Sequence, residues 1–384
     1  VSAPLLRAVP DPRLRRVLAD VAHRQDPPVP VIGFPKATDI DYGPLAPLAG
    51  GTLNNIGDPT VTGLEARNVK DLEQEVVGTL ADLFGAATDN RWGCVTTGGT
   101  EGNLYGLLLA RTLHPAAVVY HSAAAHYSVP KAAHLLSLPT VVVPCQRGGQ
   151  MDYAALAAAA AGNRERPAVV VATVGTTMTE AVDDVARIAT ALDAAYVPVA
   201  RRYVHADAAL TGIPLALTGP VLPPSCNLTR VNSLSISGHK FLGTPEPCGV
   251  VLTRRTHRDT VARSVSYIGG VDATIAGSRS GHTVLQLWWA LTSMTLEDHW
   301  ARAVDARGVA EHAVRALGAI GVPAWRHPHA FTVVFPTPSA AMVTRWSLAT
   351  ADGISHVVCV PGVSAATIDR FVAELATDRA ADRR

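Results

Sequence analysis

The chain has 384 residues, 48% of them hydrophobic and 17% charged, a balance that suits a large α/β domain plus a smaller one and excludes a disordered chain. Its 33 Lys and Arg against 32 Asp and Glu leave a formal charge of +1, which offers no electrostatic case for a nucleic-acid partner. The cysteines, Cys94, Cys145, Cys226, Cys248 and Cys359, show no paired spacing, so they read as reduced thiols of a cytoplasmic protein rather than a disulfide framework or zinc site. No apolar run reaches the roughly 18 residues of a membrane span, and the opening Val1 to Leu6 lacks a signal-peptide layout.

Residues 1–35 read as an arm. One short helix runs from Pro12 to Ala22, followed by a stretch that Pro27, Pro28, Pro30 and Pro35 hold extended. Such an arm buries little alone and suits packing on a second subunit. The loop from Asp41 to Pro59, with Asn54, Asn55, Gly57 and Asp58, has the small and amide residues that line sites or cap turns. Val69, Leu72, Val76, Leu80 and Leu83 fall at helical spacing and predict an amphipathic helix over 68–83. Trp92 to Thr97 then reads as a strand, Gly98-Gly99-Thr100 as a turn and Leu104 to Arg111 as a helix. Bare amides at a helix N-terminus, approached closely over glycine, form a phosphate cup. No Gly-Lys-Ser/Thr follows, so the turn is not a triphosphate-binding P-loop.

Apolar strands over Ala117–His121, Thr140–Pro144, Pro167–Thr173 and Arg202–Asp207 alternate with helices over Ser128–Leu136, Ala154–Ala161 and Asp184–Ala195. Continuous hydrophobicity with helices between predicts a largely parallel sheet covered on both faces, with chemistry at the strand ends. Three of those ends are chemically loaded, by His126, Thr173 and Asp207, although each residue could also serve as a cap or strand-end hydroxyl. In Asn232–Gly243, Leu234 and Ile236 alternate with Ser233, Ser235 and Ser237, predicting a short strand with one wet face. It ends at Gly238, ahead of His239 and Lys240.

A lysine leaving a buried strand is either a solvated surface charge or an amine whose desolvation frees it as a nucleophile. The other strand ends favour the amine. An aspartate keeps a pyridine nitrogen protonated, an imidazole stacks on the ring, and Ala209 leaves room on its other face. The glycine cup takes a phosphate and the lysine takes an aldehyde. Those are the demands of pyridoxal phosphate. Farther on, a helix over Leu285–Ala310 leads to strand Thr332–Phe335, helix Ala340–Ala351, strand His356–Val360 and helix Ser364–Leu375, a smaller α+β unit.

Ordered motifs between Asp41 and Phe371 carry a family resemblance. They are Asn54–Pro59, Thr97–Asn103, His126–Lys131, Gly175–Met178, Val182–Asp184, His205–Ala209, Ser235–Gly243, Pro247–Gly249, Tyr267–Gly269, Asp272–Ile275, Gly277–His282 and His356–Val358. The chain resembles the pyridoxal-phosphate-dependent group II amino-acid decarboxylases, most closely bacterial histidine decarboxylases and plant serine decarboxylases. The resemblance implies a fold-type-I (aspartate aminotransferase-like) α/β enzyme with a mostly parallel seven-stranded sheet. Its parts would be an arm over 1–49, a large cofactor domain over 50–275, a linking helix over 276–310 and a small C-terminal domain over 311–384.

Residue by residue, the resemblance implies that Lys240 binds the cofactor aldehyde, Asp207 partners the pyridine nitrogen, and His126 stacks on the ring near the substrate carboxylate. Gly98, Gly99, Thr100 and Ser237 would hold the phosphate, Ala209 would lie beneath the ring, and Thr173 and His239 would flank it. Asn55, Asp58 and Arg326 would contact an amino-acid substrate, and no metal is implied. Tyr267 would protonate Cα from a mobile loop that reaches a neighbouring subunit, implying a homodimer with shared sites.

Against the relatives' pattern, His327, Ala330 and Phe331 replace polar residues, Ser280 stands for Asn and Val284 for proline. If these line the pocket, serine or an aliphatic amino acid such as valine competes with histidine as substrate. Other reactions of the same cofactor, namely transamination, retro-aldol cleavage or replacement, form a second reading. A metal-dependent hydrolase built on His121, His126, His205 and Asp207 forms a third. A non-catalytic binding relative is disfavoured by the presence of Lys240, His126 and Asp207.

Overall fold

The computed structural model describes residues 14–25, 31–219 and 223–382; the expected arm residues through Pro12, Pro27, Pro28 and Pro30 lie outside these. The chain opens with α1 (Leu14–Gln25), β1 (Asn54–Ile56), α2 (Lys70–Leu83), β2 (Arg91–Thr96), α3 (Gly99–Leu113), β3 (Val118–Ser122) and α4 (Ser128–Leu135). It continues through β4 (Thr140–Val143), α5 (Tyr153–Ala161), β5 (Ala168–Thr173), α6 (Val185–Ala194), β6 (Arg202–Asp207), α7 (Gly212–Thr218), β7 (Ser233–Ser237) and β8 (Gly249–Arg254). Short elements follow: α8 (Arg255–Arg258), β9 (Arg263–Val265), β10 (Gly270–Asp272) and β11 (Ser278–Ser280). The last part holds α9 (Gly281–Thr292), α10 (Leu296–Ala319), β12 (Thr332–Pro336), α11 (Ala340–Arg345), β13 (Ala349–Ala351), β14 (Ile354–Val358) and α12 (Ala365–Asp382).

Seven strands form the central sheet in the order β2-β8-β7-β6-β5-β3-β4. Only β8 runs antiparallel to its neighbours. The run Val169, Val170 and Val171 is fully buried because helices cover both faces of β5, as continuous hydrophobicity requires. One apolar cluster gathers α2, α6, α7 and α9 against one face, and a second gathers α3 and α4 against the other. A third fills the C-terminal unit, where β12, β14 and β13 form a three-stranded sheet.

Four local expectations change. Helix α3 begins at Gly99 rather than Leu104, because its first turn is polar: Glu101 Oε2 accepts from both the amide and the hydroxyl of Thr97, at 2.7 Å each. The serine face of β7 is dry; Ser233, Ser235 and Ser237 are all buried under α3. The close approach requires glycine, since a Cβ on Gly102 would lie 2.2 Å from Ser235 Oγ and one on Gly106 2.2 Å from His205 Nδ1. The single helix expected over Leu285–Ala310 is two, broken before Thr295, whose hydroxyl and Asp298 close a capping box that starts α10. Helix α11 ends at Arg345 rather than Ala351, and Ser347 turns left-handed so that β13 can pair with β14.

The segment around α9 and α10 is no free linker. Val284, Leu287, Ala290, Ala303 and Ala306 pack in the sheet's core, while Ala310, Ala313 and Leu317 of the same α10 pack in the C-terminal core.

A buried ion pair ties the strand β1–β11 ribbon to the sheet. Glu73, on α2, accepts from Arg279 Nη1, from Asn55 Nδ2 at 2.8 Å and from Val95 N at 2.8 Å. Arg279 also donates to Gly57 O at 2.9 Å. Replacing Arg279 by Met leaves a buried carboxylate without its counter-charge and should cost about 3–5 kcal/mol, read as a lower thermal midpoint. The double replacement with Glu73→Leu should recover part of that loss; if Arg279→Met alone melts like wild type, the pair is not structural.

Candidate active site

The C-terminal ends of the parallel strands and the N-terminus of α3 converge, and most of the sequence-derived residues meet there. Gly98, the residue before α3, has φ 149°, a conformation that suits glycine, and a Cβ there would meet no atom within 4 Å. The space beside it is therefore open while the backbone shape excludes other residues. A Cβ on Gly99 would lie 2.8 Å from Ser237 Oγ and 3.5 Å from Ala209 Cβ. Gly98, Gly99, Thr100, Ala209 and Ser237 thus surround the free amides of a 15-residue helix, a site suited to a phosphate.

Asp207 ends β6, buried, opposite Thr173 of β5 in register. Its Oδ2 accepts from Asn103 Nδ2 at 2.8 Å and its Oδ1 from Ala209 N at 3.3 Å. Thr173 Oγ1 is buried without a hydrogen-bond partner among the described residues, a hydroxyl left for a ligand. The backbone of Thr173 is anchored by Asp183, which accepts from Thr173 N at 2.8 Å and Met151 N at 2.7 Å. Burial pushes the Asp183 carboxyl up to about 6.

Half-buried His126 sits before α4, its Nδ1 2.8 Å from Ser128 Oγ and accepting from Ser128 N at 3.2 Å. Desolvation lowers its pKa, the nearby Asp207 carboxylate opposes that, and the Lys240 ammonium adds to it. Desolvation also lowers the pKa of Lys240, against the pull of Asp207 and then Glu180. His126, Asp207 and Lys240 therefore lie in one electrostatic cluster, with the amine biased toward its nucleophilic form. Next to it, His239 Nδ1 lies 3.2 Å from Cys248 O, and burial lowers its pKa too.

Other expected site residues lie elsewhere. Asn55 is fully buried on Glu73 and donates to it, and Asn55 Oδ1 accepts from Val69 N at 2.9 Å. Asp58 is fully buried between Arg258, at 2.6 Å, and Trp92 Nε1, at 3.0 Å. Both side chains are paired inside the fold, where they hold the ribbon. Arg326 Nη1 curls onto the carbonyls of His327, Pro328 and Ala330. Tyr267 is 83% exposed on the β9–β10 connection, beside a cavity of about 260 Å³ lined by Ile56, Leu64, Lys70 and Ile268, not by Lys240.

The departures from the relatives' pattern also resolve into structure. Ser280 caps α9, and Val284 lies in the core. Ala330 and Phe331 have no exposed surface; Phe331 stacks on Phe241 with centroids 6.1 Å apart, and His327 Nε2 bonds to Gly148 O at 2.9 Å.

Sequence reasoning assigned no role to Asn103, Ser128 or Glu180. Asn103 lies within a quoted motif, but an amide one turn inside a helix carries no signal of its own until the helix face is known. Glu180, fully buried, accepts from Phe331 N, Thr332 N, Thr332 Oγ1 and Thr211 Oγ1, binding the C-terminal unit to the sheet. His205 Nε2 lies 3.0 Å from Asn103 Oδ1 and Nδ1 lies 2.7 Å from Ser233 Oγ, so neither nitrogen is free to bind a metal.

Desolvation sets how this chain responds to acid. It lowers the pKa of eight histidines, His114, His126, His205, His239, His257, His299, His329 and His356, with His205 and His329 reaching about 4. A base whose folded pKa lies below its unfolded value binds fewer protons when folded, so stability falls as pH drops through about 6.5. Asp183 and Glu180, with raised values, pull the other way. The thermal midpoint should fall clearly between pH 7 and 5; a flat profile over that range would contradict this.

Comparison with known proteins agrees with the geometry. The pyridoxal-dependent decarboxylase conserved domain matches residues 19–336. Histidine decarboxylase of Mesorhizobium japonicum is 43% identical over 341 residues, 89% of this chain and 91% of that protein. Histidine decarboxylase of Acinetobacter baumannii (strain ACICU) is 38% identical over 330 residues, 85% of each chain. L-Methionine decarboxylase from Streptomyces sp. 590 superposes with a TM-score of 0.86 at 25% identity, covering 96% of both chains. Glutamate decarboxylase of Lactobacillus brevis, at 16% identity and a TM-score of 0.79 over 99% of this chain and 95% of that one, shares the fold. Matched by the family domain over most of its length and by histidine decarboxylases at up to 43% identity, the chain belongs to the pyridoxal-dependent decarboxylases, as a fold-type-I amino-acid decarboxylase.

Proposed function

We propose that the substrate is L-histidine or a close analogue, converted to its amine and carbon dioxide. The observation that carries this reading is identity of 35–43% to histidine decarboxylases over most of the chain. The reason for preferring serine or valine weakens, since Ala330 and Phe331 are closed off and Ser280 and Val284 serve as cap and core.

Pyridoxal phosphate, when bound, supplies an aldehyde and a protonated ring that accepts electron density from Cα. In this reading the amides at the head of α3, with Ser237 and Thr100, hold its phosphate. Lys240 offers the amine, and Asp207 keeps the pyridine nitrogen protonated. Thr173 offers its unpartnered hydroxyl, Ala209 leaves space beneath the ring, and His126 covers its other face. Arg279 is bound to Glu73 and cannot clamp a substrate carboxylate. A carboxylate left poorly solvated and without a counter-charge favours loss of carbon dioxide over transamination. Arg326 remains the candidate for contact with the substrate, through the guanidinium nitrogens that do not hold its own loop.

The working form in this reading is a homodimer in which the exposed Tyr267 segment completes the neighbouring site and protonates Cα. Five unpaired thiols suit a reducing, cytoplasmic setting, and no helix of the described residues is long and apolar enough to cross a membrane. The test is a panel of single L-amino acids scored for carbon dioxide and keto acid with cofactor-loaded protein. Histidine should lead, and keto-acid formation would overturn decarboxylation. Mixing Lys240→Ala with Tyr267→Phe subunits should recover activity that neither has alone; no recovery excludes sharing.

A further inference from the structure

One amide joins the two residues assigned to the cofactor ring. Asn103 Nδ2 lies 2.8 Å from Asp207 Oδ2 and 2.9 Å from Ser128 Oγ, and Ser128 Oγ lies 2.8 Å from His126 Nδ1. On its other side, Asn103 Oδ1 faces His205 Nε2 at 3.0 Å. His205 Nδ1 meets Ser233 Oγ at 2.7 Å, and Tyr203 donates to that hydroxyl at 2.9 Å. Asn103, Ser128, Asp207, His205 and Ser233 are all buried, so water does not relax their pairing.

The donor and acceptor roles follow from one constraint. An ionised carboxylate only accepts, so Asn103 must turn its NH₂ toward Asp207 and its oxygen toward His205. That oxygen needs a donor, which places the His205 proton on Nε2. His205 Nδ1 then accepts from Ser233, whose oxygen accepts from Tyr203. On the other arm, the second N–H of Asn103 donates to Ser128, leaving the Ser128 hydroxyl hydrogen for His126 Nδ1. The Ser128 amide donates to the same nitrogen, so the His126 proton sits on Nε2.

We propose that Asn103 is a positioning residue that sets the tautomer of His205 and orients Asp207, while the Ser128 amide and hydroxyl set that of His126, so that His126 presents an N–H donor. This deepens the site reading above, and its role in catalysis rests on that reading. The tautomers do not, because they are properties of the protein without cofactor. The consequence is that His126 acts toward a substrate carboxylate as a hydrogen-bond donor, not as a base.

The experiment is nitrogen NMR of the full-length, cofactor-free protein labelled in its histidine rings, with His126→Gln and His205→Gln variants assigning the signals. Both rings should be neutral with the proton on Nε2 at pH 7.5. Asn103→Leu, close in shape but without hydrogen bonds, should release His205 into a tautomer mixture and weaken pyridoxal phosphate binding by about tenfold or more, while the backbone amide of residue 128 keeps the His126 proton on Nε2. Ser233→Ala leaves the Asn103 oxygen in place, so His205 should keep its proton on Nε2. A proton on Nδ1 of either ring in the wild type overturns the proposal. So does a folded Asn103→Leu protein with an unchanged His205 tautomer and affinity. If Asn103→Leu does not fold, Ser233→Ala decides: a tautomer mixture at His205 would show that Ser233, not Asn103, sets that ring, and would reject the proposal. Absent decarboxylation with the tautomers as expected would sink the functional reading and spare this one.

Discussion

Replacing Lys240 by alanine should lower kcat for carbon dioxide release by about four orders of magnitude or more, because Lys131, the other amine that acts on His126, is exposed, and Lys240 is the buried amine placed beside Asp207 to take the cofactor aldehyde and later free the product. Borohydride reduction of cofactor-loaded wild type should fix the vitamer to the peptide that contains Lys240, and the variant should stay unlabelled. Arginine should not rescue, since a guanidinium does not give up its proton even when desolvated. Stability gives an independent check. The folded pKa of Lys240 lies below its ordinary value, so at pH 7 burying this amine is a cost to the fold in either protonation state. Cofactor-free Lys240→Ala should therefore melt no lower than wild type. A variant that keeps more than about a tenth of the activity would remove the central role assigned to this amine.

Asp207→Asn should be nearly as damaging, by about three orders of magnitude in kcat, through loss of the charge that holds a proton on the pyridine nitrogen. The substitution also disturbs the neighbouring amide. Asn103 points an N–H at this position, so the new side chain must offer its oxygen there and turn its own NH₂ toward Ala209 N or the ligand. It further withdraws the attraction that partly sustains charge on His126 and Lys240, so both pKa values should drop further. Cofactor affinity, visible absorption and kcat should all change together. Activity within tenfold of wild type would show that another group serves the ring nitrogen.

The sheet was legible because its inner strands are buried on both faces. Ala168–Ala172 is an unbroken apolar run that no surface strand tolerates, and the predicted ends of this strand and of Arg202–Asp207 match the observed ones within a residue. The alternation in Ser233–Ser237 misled for a physical reason. Hydroxyls usually mark a wet face, but here glycines at 102 and 106 bring α3 close enough to bury them, and Tyr203 and His205 meet the one at Ser233. Asn55 and Asp58 show the same ambiguity. Polar residues in an aperiodic loop suit a ligand or an internal partner equally, and only the positions of Glu73 and Arg258 distinguish the two.

By itself the sequence determined the parallel α/β sheet and singled out Gly98–Thr100, Lys240, Asp207 and His126, because each rests on a local pattern or on chemistry confined to a short motif. The tertiary structure alone decided which polar groups gather at the strand ends and which are spent inside the fold. It turned α9 and α10 into two helices that share a core with the sheet, and it brought Asn103, Ser128 and His205 around Asp207. Hydrogen-bond partners 102 and 104 residues apart leave no trace in local spacing; they exist only once α3 lies across the ends of β6 and β7.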